Sequence, residues 1–126
     1  MLFTALAVAL GGAVGTLARF GISAAMLGTS ERFPAATLLI NVAGSFAIGW
    51  LSGEWSPVLN PTLRAALTIG FCGGFTTFST FSIETVRMAH AGQPGRALLY
   101  VLASVVLSVA AAALGVAGAR AFARHA

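Results

Sequence analysis

Apolar residues fill four long stretches of this chain. The uncharged runs have 18, 21, 19 and 23 residues and are Met1–Ala18, Phe33–Gly53, Ala65–Ile83 and Ala97–Ala119. A helix needs roughly 20 apolar residues, each adding about 1.5 Å, to cross a bilayer. We therefore predict a single all-α membrane domain over residues 1–126. Its four transmembrane helices are expected over residues 2–27, 33–54, 62–88 and 96–121.

The third stretch departs from the simple apolar pattern. Residues 73–82 read GGFTTFSTFS and combine a glycine pair, five hydroxyl side chains and three phenyl rings. Backbone groups that glycine frees from a helix must find partners in protein or water, because lipid offers none. Interrupted backbone at membrane depth is tolerated where it lines a pathway or holds an ion. We predict that the third helix is broken at Gly73–Thr76 and that this segment serves transport.

Composition and charge exclude several other functions. The chain is 58% hydrophobic and 8% charged, and its net charge of +4 comes from scattered arginines without a nucleic-acid-binding motif. We expect no nucleic-acid partner. A single cysteine, Cys72, allows no intrachain disulfide, and both histidines lie outside the spans. Without a nucleophile–base pair or a metal-ligand cluster, an enzyme is not expected.

The arginines give no preferred orientation in the membrane. Four spans place three arginines on each side: Arg64, Arg120 and Arg124 against Arg32, Arg87 and Arg96. Positive charge normally sets the cytoplasmic side. A chain without this bias can insert both ways, and two inverted copies can then pair about an axis in the membrane plane. We predict an antiparallel, dual-topology homodimer; the alternative is that one orientation wins for reasons other than charge.

Several side chains are candidates for an anion pathway. Phe78 and Phe81 share a face if the helix resumes after the break, and the positive edges of their rings can assist a desolvated anion, although ordinary packing is the alternative. Asn41 can donate to an anion or bond a neighbouring helix. A further stripe at i, i+4 and i+8 forms either a track of donors or helix–helix contacts; its residues are Tyr100, Ser104 and Ser108.

Charged groups and freed carbonyls add two hypotheses. Arg19, in the first span, can concentrate anions at a pore mouth, and Glu84 can pair with Arg87 or with Arg19. If the carbonyls of Gly73 and Thr76 converge with those of an inverted partner, four oxygens can hold a small monovalent cation.

Three runs together resemble the bacterial fluoride channel family known as CrcB or Fluc: GAVGTLARF at 12–20, NVAGSF at 41–46 and GFCGGFTTFSTFS at 70–82. The resemblance covers essentially the whole chain. It implies an antiparallel dual-topology homodimer in the bacterial inner membrane, with two fluoride pores and a central sodium ion. By motif position it implies that Phe78 and Phe81 are the pore rings and that Asn41 is a pore donor. It implies that Tyr100, Ser104 and Ser108 form a polar track. It also implies that the carbonyls of Gly73 and Thr76 bind sodium, and Arg19 matches the first-helix arginine.

The expected function is passive, fluoride-selective export. The residues alone do not separate fluoride from chloride, since that depends on pore width and dehydration. A small dual-topology multidrug-type exporter is the alternative, but it would want a carboxylate in the first span, which has none. A non-transporting assembly subunit would need only close helix packing.

Overall fold

The protein is all-helical in the part that the structure, a computed structural model, describes: residues 1–28, 33–53 and 59–125. The elements in chain order are α1 (Leu2–Ala25), α2 (Ala35–Leu51), α3 (Pro61–Ala65), a π-helical segment (Ala66–Cys72), α4 (Gly73–Phe75), α5 (Phe78–His90) and α6 (Pro94–His125). The predicted all-α class is confirmed. Arg32 and residue 54, where the second span was expected to end, lie outside the described residues.

Three stretches are long and apolar enough to cross a membrane: Leu2–Ala25, Pro61–His90 and Pro94–His125. The second of them joins α3, the π-helical segment, α4 and α5 and is called the third helix below. Helix α2 has 17 residues in its described part, which is at the lower end of the range for a spanning helix. The described chain is therefore a multi-pass membrane protein.

Glycines let the helix backbones approach closely. A side chain at Gly15 of α1 would collide with the carbonyl oxygen of Phe71, and one at Gly49 of α2 would collide with that of Ala112 in α6. These contacts hold α1 against the π-helical segment and α2 against α6, so the glycines at these two positions serve helix packing.

The break in the third helix lies at the C-terminal edge of the predicted range. Gly73 keeps helical angles (φ −64°, ψ −39°), whereas Thr76 (φ −80°, ψ 160°) and Thr77 (φ −152°, ψ 112°) are extended. Gly74 stays helical while packing against the carbonyl of Gly12. The glycines therefore provide close packing, and the two threonines carry the interruption.

Candidate functional site

A groove of about 610 Å³ lies at the break, between α2, the third helix and α6. Its lining combines amide, hydroxyl, backbone and phenyl groups. It includes Asn41, Ser45, Gly73, Thr76, Thr77, Phe78, Phe81, Ser104 and Ser108. The structure thus brings together seven of the nine predicted site residues, and only Tyr100 and Arg19 lie outside this lining.

Asn41 is held on the backbone of the break. Its Nδ2 donates to the carbonyl of Thr77 at 3.1 Å, and its Oδ1 accepts from the Thr77 N–H at 2.8 Å. One N–H of the amide remains for another acceptor. The alternative interpretation of Asn41, a bond to a neighbouring helix, is therefore realised within the chain, and a role as an anion donor rests on the second N–H.

The carbonyls of Gly73 and Thr76 do not receive their helical donors. In a continuous α-helix these donors would be the N–H groups of Thr77 and Thr80. The first donates to Asn41 instead, and the second donates to the Thr77 hydroxyl at 3.2 Å. Both residues line the groove, and neutral carbonyl oxygens are ligands that suit an alkali cation. The described residues hold no cluster of three or more His, Cys, Asp or Glu for a transition metal. The donor set fits the sodium that the resemblance implies.

The two phenyl rings line the groove at different depths. Their centroids are 5.4 Å apart; Phe81 is 9% exposed and Phe78 is 78% exposed. Phe81 also lies 5.2 Å from the ring of Tyr100, centroid to centroid. Phe81 is thus packed within the chain, whereas Phe78 projects from its surface.

The hydroxyl stripe of α6 divides in two. Ser104 and Ser108 line the groove, and the Ser104 Oγ is the one buried side-chain polar atom of the described residues that has no hydrogen-bond partner. Tyr100 is fully buried, and its hydroxyl donates to Glu84 Oε2 at 2.7 Å. Ser104 and Ser108 are therefore available to a ligand in the groove, whereas the Tyr100 hydroxyl is already bound to Glu84.

Glu84 is held by hydroxyl groups. Its Oε1 accepts from Thr37 at 2.9 Å and its Oε2 accepts from Tyr100, so both carboxylate oxygens are engaged by hydroxyls rather than by Arg87 or Arg19. Arg19 lines a separate cavity of about 250 Å³ together with Thr37, Thr77 and Thr80. Thr77 lines both this cavity and the groove and therefore lies between them.

Thr37 is the functional candidate that the sequence interpretation missed. It is 5% exposed, it binds Glu84 and it lines the arginine cavity. Its signal was present, because Thr37, Asn41 and Ser45 follow each other at i, i+4 and i+8 along α2. The same spacing singled out the hydroxyl stripe of α6.

The model of one known family matches residues 6–116 and is described as CrcB-like protein, Camphor Resistance (CrcB). The chain belongs to the CrcB-like family. The resemblance seen in the sequence is therefore confirmed for 111 of 126 residues, from 6 to 116.

Curated CrcB-like relatives carry the name fluoride-specific ion channel FluC. The protein of Saccharophagus degradans is 46% identical over 113 residues, which cover 88% of this chain and 85% of the relative. That of Methylobacterium sp. (strain 4-46) is 48% identical over 125 residues, 95% of each chain. FluC 2 of Bacillus subtilis is 48% identical over 111 residues, 87% of this chain and 82% of the relative. These relatives are named as ion channels and not as enzymes.

Proposed function

We propose that the chain is a fluoride-selective ion channel that lets fluoride leave the cell down its gradient. The names of its relatives support the choice of fluoride, and the groove at the helix break supplies a pathway with suitable groups. Such export protects a cell in which fluoride accumulates because HF enters and dissociates inside.

The unpartnered hydroxyl of Ser104 carries this proposal. A buried polar group without a partner costs about 1–3 kcal/mol, so a native structure rarely keeps one without a reason. A dehydrated anion in the groove would accept this O–H. Phe78 and Phe81 line the same groove, and their ring edges carry partial positive charge without binding an anion as tightly as an arginine would. Weak, multiple contacts are what permeation requires.

The working unit in the proposal is an antiparallel homodimer in the bacterial inner membrane. Two features support a partner at the groove: Phe78 is 78% exposed, and the Cβ position of Gly73 meets no atom within 4 Å. The balanced arginines support insertion in both orientations. An inverted copy would close the groove and supply the other half of each pathway.

The central cation belongs to the same proposal. The carbonyl oxygens of Gly73 and Thr76, with those of the second copy, would hold a sodium ion on the dimer axis. There it would neutralise the converging carbonyl dipoles and fasten the two broken helices together.

The hydrogen bonds of Glu84 support passive flow. Proton-coupled exporters use a membrane-embedded carboxylate that exchanges its proton for substrate. Helix α1 contains no acidic residue, and both oxygens of Glu84 are engaged by hydroxyls. A drug/proton exchanger is therefore the weaker candidate.

Purified protein in liposomes tests the function. Fluoride and chloride efflux are followed with ion-selective electrodes. A potassium ionophore is added so that potassium efflux balances the charge carried by the anion. We expect fluoride efflux far above chloride efflux and no change when a proton gradient is imposed. Equal rates for the two halides, or no fluoride efflux, would refute the proposal.

A pair of serine variants tests whether the groove is the fluoride pathway. Ser104→Ala removes the unpartnered hydroxyl, and Ser52→Ala removes a serine at the end of α2 that lines neither the groove nor the arginine cavity. We expect only the first to lower fluoride efflux. Equal efflux from the two variants would count against the groove as the pathway.

A further inference from the structure

We infer that Asn41 is a positioning residue that exposes the cation-binding carbonyls by holding the third helix open at Thr77. The inference rests on the proposed cation site and adds the device that forms it. This device is separate from any contact between Asn41 and an anion.

The first step concerns the carbonyl of Gly73. Helical geometry would give it the Thr77 N–H, and a carbonyl that accepts this bond along the helix axis is a poorer ligand for a cation. Asn41 Oδ1 takes that N–H at 2.8 Å, while its Nδ2 holds the Thr77 carbonyl at 3.1 Å. Because the amide engages both polar groups of one residue, Thr77 is fixed in an extended conformation.

The second step concerns the carbonyl of Thr76. Its helical donor would be the Thr80 N–H, which instead caps α5 through the Thr77 hydroxyl at 3.2 Å. This cap forms only when Thr77 is outside the helix, since an N-cap residue has non-helical angles. The two hydrogen bonds between Asn41 and Thr77 (the amide clamp) and the cap of α5 therefore depend on the same extended residue. Together they divert the N–H groups of Thr77 and Thr80 from their helical acceptors.

The burial of these groups makes the arrangement stable. Thr77 is 8% exposed, so without Asn41 its N–H and carbonyl would lose their partners where water has little access. In a resumed helix this N–H would donate to the Gly73 carbonyl. Loss of the amide thus favours closure of the break and masks one cation ligand.

Two pairs of variants test the inference. Asn41→Leu keeps the approximate shape and removes the clamp; its control is Ser52→Ala, at the C-terminal end of α2 and outside the groove. Thr77→Val keeps the β-branched shape that suits extended backbone and removes the cap acceptor; its control is Thr77→Ser, which keeps the hydroxyl.

The readout is the sodium dependence of stability. The thermal unfolding midpoint of the purified dimer is measured as NaCl replaces N-methylglucamine chloride at constant ionic strength, and the sodium concentration for half the shift is compared among variants. For Asn41→Leu and Thr77→Val we expect this concentration to rise about tenfold or more, the factor equivalent to about 1.4 kcal/mol. For both controls we expect less than about a twofold change. Sodium-dependent fluoride efflux in liposomes should follow the same order.

The outcomes separate three cases. If Asn41→Leu loses fluoride efflux but keeps the wild-type sodium response, Asn41 acts on the anion directly and the inference is wrong. If Asn41→Leu does not yield folded protein, an equal sodium response of Thr77→Val and Thr77→Ser overturns it. If the wild type transports fluoride without any sodium response, the cation site and this inference both fall, whereas the fluoride channel stands.

Discussion

Removal of the Tyr100 hydroxyl tests how strongly this group binds Glu84. Tyr100→Phe removes one oxygen and keeps the ring, whose centroid lies 5.4 Å from that of Phe33 and 5.2 Å from that of Phe81. Since the residue is fully buried, water does not replace the lost donor. The substitution therefore removes the hydroxyl and its bond to Glu84 without removing the ring.

The size of the effect follows from the acceptor. The bond from the Tyr100 hydroxyl to Glu84 Oε2 is 2.7 Å long, and hydrogen bonds to charged groups contribute about 1.5–3 kcal/mol, against about 0.5–1.5 kcal/mol for neutral pairs. Tyr100→Phe should lower the free energy of unfolding by about 1.5–3 kcal/mol in the wild type and by about 0.5–1.5 kcal/mol in a Glu84→Gln background. Adding Thr37→Val to Tyr100→Phe should cost more than the sum of the single effects, by about 0.5 kcal/mol or more, because Glu84 then has neither donor.

Equilibrium unfolding in mixed detergent micelles, followed by helical circular dichroism, provides the free energies. Thr68→Val is the matched control, since its hydroxyl donates only to the carbonyl of Arg64 in its own helix, at 2.8 Å. It should change stability by less than about 0.5 kcal/mol. An equal cost of Tyr100→Phe in the wild-type and Glu84→Gln backgrounds would show that Glu84 does not act as a charged acceptor.

Other substitutions test the packing, the pathway and the dimer. Gly15→Ala forces a Cβ against the Phe71 carbonyl and should destabilise the protein by about 1–3 kcal/mol, whereas Gly21→Ala in the same helix meets no atom within 4 Å and should be neutral or slightly stabilising in the same unfolding assay. Phe78→Ala should reduce fluoride efflux in liposomes while the purified protein stays dimeric by light scattering; unchanged efflux would remove this ring from the pathway. A C-terminal tag on protein expressed in cells should be cleaved by external protease in about half of the molecules, and complete protection or complete cleavage would contradict dual topology.

The site residues were largely identifiable because their types are costly in a membrane. Asn41, the hydroxyl run and the glycine pair stand out against apolar neighbours, and each must be satisfied inside protein or by water. The partners were not identifiable. Nothing in the spacing of residues shows that Asn41 would bind the backbone of Thr77, 36 positions away, or that Tyr100 would donate to Glu84.

The sequence by itself determined the helical class, the apolar lengths and the family, because these follow from local hydrophobicity and from the GGFTTFSTFS segment. Tertiary structure decided where the third helix opens. The glycines suggested residues 73–76, yet Gly74 is held helical by close packing on Gly12, and the opening lies at Thr76 and Thr77. A helix break at membrane depth needs substitute hydrogen-bond partners, and here those of Thr77 come from Asn41 on another helix. Only the packing of α2 against the third helix supplies them.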